Sequence, residues 1–227
     1  MTAALVARGN GSVLAIDADP NSCLADALGI GGIQTIVGIV DEISKNMDKI
    51  PAGMTKDRYI EMRVQEAVAE EKDFDLVVMG RPEGPGCYCY VNNLLRSVIE
   101  KVSGHYDFVV IDNAAGMEHV SRRIEGGVDK LVLVSDYSVT GIRSARKIYE
   151  LAKSLKIRIG SSGLIINKVS GPMSAIDNEV KKTALELLGT IPYDDAVIDW
   201  SISGKPVFGL KSGMIGDAIK KILNKLV

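Results

Sequence analysis

Short, nearly unbroken apolar runs recur along this chain, at Val13–Ile16, Leu76–Met79, Phe108–Ile111, Leu131–Val134, Leu164–Ile166 and Leu188–Ile191. Each is rich in Val, Ile or Leu with little polar alternation, which is how strands read when helices cover both faces of a parallel sheet. Between the runs the apolar period lengthens to that of a helix. Leu94, Leu95, Val98, Ile99 and Val102 form one stripe, with Asn92 available as its cap. Ile142, Ala145, Ile148, Leu151, Ala152 and Leu155 form a second, and Val180, Ala184, Leu187 and Leu188 a third. Ile215, Ile219, Ile222, Leu223 and Leu226 form the last. This alternation predicts an α/β fold, a doubly wound and mostly parallel sheet with helices on both faces. Residues 50–72 read as a helical excursion off the sheet, and residues 80–86, rich in Gly and Pro, as a loop.

A length of 227 residues fits one α/β domain spanning residues 1–227. With 27 basic and 29 acidic side chains the net charge is -2, which argues against a nucleic-acid partner, since such proteins carry a strongly basic face. No apolar run approaches the ~20 residues that span a bilayer. The amphipathic tail from Met214 to Val227, with Lys220, Lys221 and Lys225, reads as packing on the sheet rather than on a membrane. Met1 to Asn10 lacks the basic flank and long apolar core of a signal peptide. Three cysteines do not make a disulfide framework, so reduced thiols and a cytoplasmic location are expected.

In open α/β sheets ligands sit beyond the carboxyl ends of the strands, so the residues following each run are the candidate site. The first run ends in Asp17-Ala18-Asp19-Pro20 and the third in Asp112-Asn113-Ala114-Ala115-Gly116. A carboxylate in either place could hold magnesium through water or orient an attacking water, and it could equally cap a turn or a helix. Two acids at matching positions on separate strands favour the functional reading. Gly116 would let a backbone amide approach a terminal phosphate. Asn167-Lys168 and Ile191-Pro192-Tyr193-Asp194 follow later strands, where an amide and loop backbone could grip a purine. Cys87-Tyr88-Cys89, after Gly84-Pro85-Gly86, is the sharpest local feature. Thiolates select zinc, copper(I) or nickel, and two ligands cannot close a site that wants four. A two-fold dimer would supply the other pair. Buried structural cysteines are the alternative. Cys23 reads as packing and His119 as structural.

Taken in order, these motifs resemble the deviant P-loop ATPases, the group of the septum-site, partition and nitrogenase iron proteins. Ala18-Asp19-Pro20-Asn21-Ser22-Cys23-Leu24, Gly86-Cys87-Tyr88-Cys89 and Ala115-Gly116-Met117-Glu118-His119 resemble, within that group, the CooC-type nickel-insertion ATPases. The resemblance implies a homodimer closed by ATP and magnesium. The two Cys-x-Cys pairs would then share nickel, or zinc in its place. Hydrolysis to ADP would release the metal to a client, carbon monoxide dehydrogenase or acetyl-CoA synthase. It implies Asp19 near magnesium and the attacking water, Asp112 as the Walker B acid, and Asn167 with the Pro192 loop around adenine. Asp17, Lys168 and Tyr193 complete the expected nucleotide site. An iron-sulfur electron donor, a membrane-associated positioning ATPase and a metal-binding paralogue without ATPase activity are the competing readings.

One departure stands out. The family opens with a strand and a Gly-rich loop ending in Gly-Lys-Thr, and no Gly-x-x-x-x-Gly-Lys-[Ser/Thr] occurs in the 227 residues. Met1 to Ala7 instead resembles the helix that follows that loop. The expectation is an N-terminally truncated domain, missing a central strand and the phosphate loop.

Overall fold

The computed structural model describes residues 1–81, 87–114, 127–210 and 213–227, with residues 87–89 in backbone only. The chain divides into two compact units. One holds residues 2–115 with 206–208, and the other residues 116–205 and 209–227 with Met1.

In the first unit, helix α1 (Thr2–Arg8) leads into strand β1 (Val13–Asp17), then helices α2 (Cys23–Leu28), α3 (Ile36–Lys45) and α4 (Lys56–Gln65). Strands β2 (Ala69–Glu70) and β3 (Asp75–Val78), helix α5 (Cys87–Val102) and strand β4 (Phe108–Asp112) complete it. The sheet order is β2-β3-β1-β4, with β1 parallel to both neighbours and only the short β2 antiparallel. Residues 50–72 do carry a helix, α4, and then the two-residue β2. Every residue of β1 is buried. Because side chains alternate across a strand, Leu14 and Ile16 point to one face. There they join Val77 of β3, Ile36 and Ile39 of α3, Ile60 and Val64 of α4, and Leu95 and Val98 of α5 in one core. Asn92 does not cap α5: it lies inside the helix and is buried. The helix had already begun five residues earlier, so the cap expectation misplaced its start.

In the second unit, strand β5 (Val128–Asp136), helix α6 (Val139–Ser154), strand β6 (Ile159–Val169), helix α7 (Asp177–Lys182), strand β7 (Glu186–Pro192), helix α8 (Asp195–Ile202) and helix α9 (Gly213–Leu226) follow in order. The parallel sheet runs β5-β6-β7. Ile142 and Ala145 of α6 and Val180 of α7 pack with Leu133, Leu164 and Ile166 on one face. Ile222 of α9 packs with Ile165 and Leu188 on the other. The tail helix therefore lies on its sheet, as its apolar stripe predicts. The third stripe fails as one helix. Helix α7 ends at Lys182, the Thr183 hydroxyl donates to the Val180 carbonyl and accepts from the Leu185 amide, and Ala184 adopts a left-handed φ of 56°. Leu187 and Leu188 then belong to β7. Their helical spacing from Val180 was a coincidence of two elements joined by a tight turn.

Both sheets end in a strand paired on one side. Among the described residues β4 pairs with β1 alone, and β5 with β6 alone. The apolar residues of β4, Phe108 to Ile111, are only half-buried, unlike those of β1. On β5, Val134 is 62% exposed. No helix among the described residues is long and apolar enough to cross a membrane.

Candidate functional site

The expected site residues fall into two groups, one in each unit. In the first, β1 and β4 run parallel with Asp17 directly opposite Asp112, and the Ala18 amide continues the ladder to the Asp112 carbonyl at 2.8 Å. Parallel neighbours are about 4.8 Å apart, so the strand register alone brings two carboxyl groups side by side. Asp17 is wholly buried. One of its oxygens accepts from the Asp19 amide (3.1 Å) and the other from the Leu24 amide (2.8 Å). The Asp19 carboxylate accepts in turn from the Asn21 amide at 2.8 Å. Ser22 takes a left-handed φ of 52° just before α2. The loop from β1 to α2 is thus wound around the Asp17 carboxylate, which fixes the backbone that carries Asp19.

Burial pushes the Asp17 carboxyl above the ordinary carboxylate value, against the pull of its two amide donors. Asp112 is raised as well, first by loss of hydration and then by the negative charges of Asp17 and Asp19. An acid raised in the fold opposes folding wherever it is ionised in both states. Asp112 is nonetheless solvent-exposed, so water screens much of this penalty, and Asp112→Asn is expected to raise Tm at pH 7 by about one to two degrees, at ~2–4 °C per kcal/mol for a chain of this size. The gain is full above the folded value and vanishes below the ordinary value of 3.8, where both states are neutral. Thermal melts of both proteins from pH 3 to pH 8 check it; equal Tm values at pH 7 would contradict it.

Asn113 follows Asp112, and its side-chain oxygen is buried without a hydrogen-bond partner among the described residues. Its position after a strand-end acid is the one signal of it in the sequence. Cys23 is exposed, its thiol against the Asn21 carbonyl, and so is not the packing residue it reads as in sequence. Gly80, two residues past β3, has a left-handed φ of 82°, and a Cβ there would meet the Thr35 hydroxyl at 2.6 Å. Only glycine serves where the chain leaves the sheet toward the cysteine pair. Cys87 and Cys89 open α5, and their side chains lie outside the described residues, as do Gly116 and His119.

The second group lies at the carboxyl end of the second sheet. A register shift between Ile166 and Val169 places Asn167 and Lys168 in a bulge. The Asn167 side-chain oxygen accepts from the Lys168 amide at 2.9 Å, and Lys168 is left-handed with a φ of 56°. Pro192 pairs with Val169, and the Tyr193 amide donates to the Val169 carbonyl at 2.9 Å. The structure thus brings Asn167, Lys168, Pro192 and Tyr193 to one strand end. The Tyr193 hydroxyl is held above its ordinary value by its hydrogen bond to Asp195 and by the charges of Asp195 and Asp199.

Parallel strands flanked by helices, with acids at their carboxyl ends, define an α/β nucleotide-binding protein. Residues 1–207 match the model of the CobQ/CobB/MinD/ParA nucleotide binding domain, and the chain belongs to that family. It is 39% identical over 222 residues to an uncharacterized ATP-binding protein of Methanocaldococcus jannaschii, covering 94% of this chain and 88% of that one. It is 27% identical over 196 residues to the carbon monoxide dehydrogenase accessory protein CooC of Rhodospirillum rubrum, covering 82% and 74% of the two chains. A ParA family ATPase from Chlorobium tepidum has the same fold, with a TM-score of 0.72, 22% identity and coverage of 98% and 90%.

The family implies ATP or ADP with magnesium. Asp17 and Asp112 stand in register, and the orphaned oxygen of Asn113 follows Asp112 in sequence; all are hard oxygen donors of the kind magnesium takes. Among the described residues no three His, Cys, Asp or Glu side chains converge on one point, so a cation here would complete its shell with water and phosphate oxygens. The residues fit the cation. The amides and lysine that would cradle phosphates have no counterpart in a Gly-x-x-x-x-Gly-Lys-[Ser/Thr] motif in these 227 residues.

Proposed function

We propose that this chain is a nucleotide-controlled nickel carrier for a nickel enzyme, carbon monoxide dehydrogenase or acetyl-CoA synthase. The spacing Cys87-Tyr88-Cys89 carries the reading, because a positioning ATPase has no need of two thiols one residue apart. Likeness to CooC supports it. Each chain offers two thiolates, and a homodimer in the cytoplasm offers the four that close a tetrahedral or square-planar site for nickel or zinc. Asp112 holds magnesium through water, and Asp19, set by the Asp17-braced loop, orients the attacking water. Gly116 approaches the terminal phosphate. Asn167, Lys168, Pro192 and Tyr193 take the base. All of residues 1–227 serve this one switch.

Anaerobic equilibrium dialysis with nickel and with zinc, on this chain and on Cys87→Ser/Cys89→Ser, tests the reading. About one metal per two chains, lost in the double variant, is expected from the four-ligand requirement. Binding that survives the substitutions, or no binding, would remove the carrier function. A family fold without a metal cargo would remain.

A further inference from the structure

Helix α8 (Asp195–Ile202) buries none of its side chains, whereas each of the other α-helices buries at least one among the described residues. Its sequence, Asp-Ala-Val-Ile-Asp-Trp-Ser-Ile, is nevertheless as apolar as a core helix. Asp195, Ile198, Asp199 and Ile202 stand at spacings of three, four and seven, so they share one face. Ile202 is 80% exposed and Ile198 38%. Trp200 faces elsewhere, half-buried, close to Gly209 and under the Lys205 ammonium at 5.1 Å.

The acids on that face have separate explanations. Asp194 caps the helix and Asp195 sits in its first turn, where a negative charge is favoured. Asp199 lies beyond the first turn and has neither excuse. No lysine or arginine is ion-paired with Asp195 or Asp199 among the described residues. An exposed stripe that mixes isoleucine with carboxylates that meet no lysine or arginine among the described residues, Asp195 holding only the Tyr193 hydroxyl, fits a surface of opposite charge and like hydrophobicity.

We propose that this face of α8 docks an amphipathic helix of a partner protein whose apolar residues are interleaved with Lys or Arg. A second copy of this chain is the poorer occupant, because a two-fold contact through α8 would set Asp199 and Asp195 against their own copies. The docking face is independent of the cysteine pair and of the nickel reading.

Trp200 is the only tryptophan in the chain, so its emission reports on α8 directly. Two synthetic amphipathic peptides with identical leucine spacing serve as probes, one with lysine and one with glutamate at the polar positions, titrated into the full chain at low and high salt. The lysine peptide is expected to bind and shift the Trp200 emission, more tightly at low salt, and the glutamate peptide to leave it unchanged. Ile198→Ser/Ile202→Ser should weaken lysine-peptide binding at least tenfold without altering circular dichroism, since both side chains are exposed. Asp199→Asn should flatten the salt dependence. Equal binding of both peptides, or lysine-peptide binding indifferent to these substitutions, would overturn the proposal. So would concentration-dependent self-association lost in the double serine variant, which would make a second copy the occupant.

Discussion

Placing a strand and a Gly-x-x-x-x-Gly-Lys-Thr loop ahead of Met1 is expected to tighten MgADP binding by at least ~100-fold over the 227-residue chain, a change of about 2.7 kcal/mol. Hydrogen bonds to charged groups contribute ~1.5–3 kcal/mol each, so two such bonds from loop amides or the lysine reach that figure. The need follows from the charge at the first sheet's end. The Asp19 charge already opposes ionisation of Asp17, and both oppose that of Asp112, and a polyphosphate brought there adds more of the same sign. The added strand also has a partner waiting, since β4 is paired with β1 alone among the described residues. Isothermal titration of both proteins gives the affinities, and hydrogen exchange at Val109 and Ile111, whose amides alternate with the Phe108 amide bonded on the β1 side, reports whether β4 gains a neighbour. Micromolar binding by the 227-residue chain, unchanged by the extension, would contradict the expectation.

The second large effect is on stability. Leu14 is wholly buried in β1, between β3 and β4, and packs in the core formed with α3, α4 and α5. Leu14→Ala removes its transfer energy and leaves a cavity that a strand held on both sides cannot readily close. The expected loss is about 3–5 kcal/mol. Against a typical total of about 5–15 kcal/mol, that leaves a chain unfolded by mild heat or little urea. Urea denaturation followed by circular dichroism measures it. A loss under about 1 kcal/mol would mean the site collapses around the smaller side chain.

The strands were legible because burial on both faces leaves an unbroken apolar run, and every run noted in the sequence lies in or directly beside an observed strand. Helix α3 is harder to read from sequence, although Ile36, Ile39 and Ile43 share a helical face, because its Gly and short flanking turns blur the stripe. Periodicity misled at Val180 to Leu188, where one turn joined two elements in step. The paired acids were legible from their place after apolar runs. What Asp17 does was not, because its partners, the amides of Asp19 and Leu24, are backbone groups that any sequence supplies. The exposure of Ile202 on α8 is legible only in the structure, because alternating acid and isoleucine on one face reads in sequence as an ordinary half-buried helix.

The open side of β4 has a consequence for how the protein survives in a crowded cell. Phe108-Val109-Val110-Ile111 is a run of strong strand formers with no charge, proline or bulge among them, paired among the described residues on one side only. Such edges seed aggregation, and natural sheets blunt them with lysine, proline or a covering segment. Until something lies along that edge, the protein's usable concentration has a ceiling, and the strand that packs Val109 and Ile111 against the core sets how high it is.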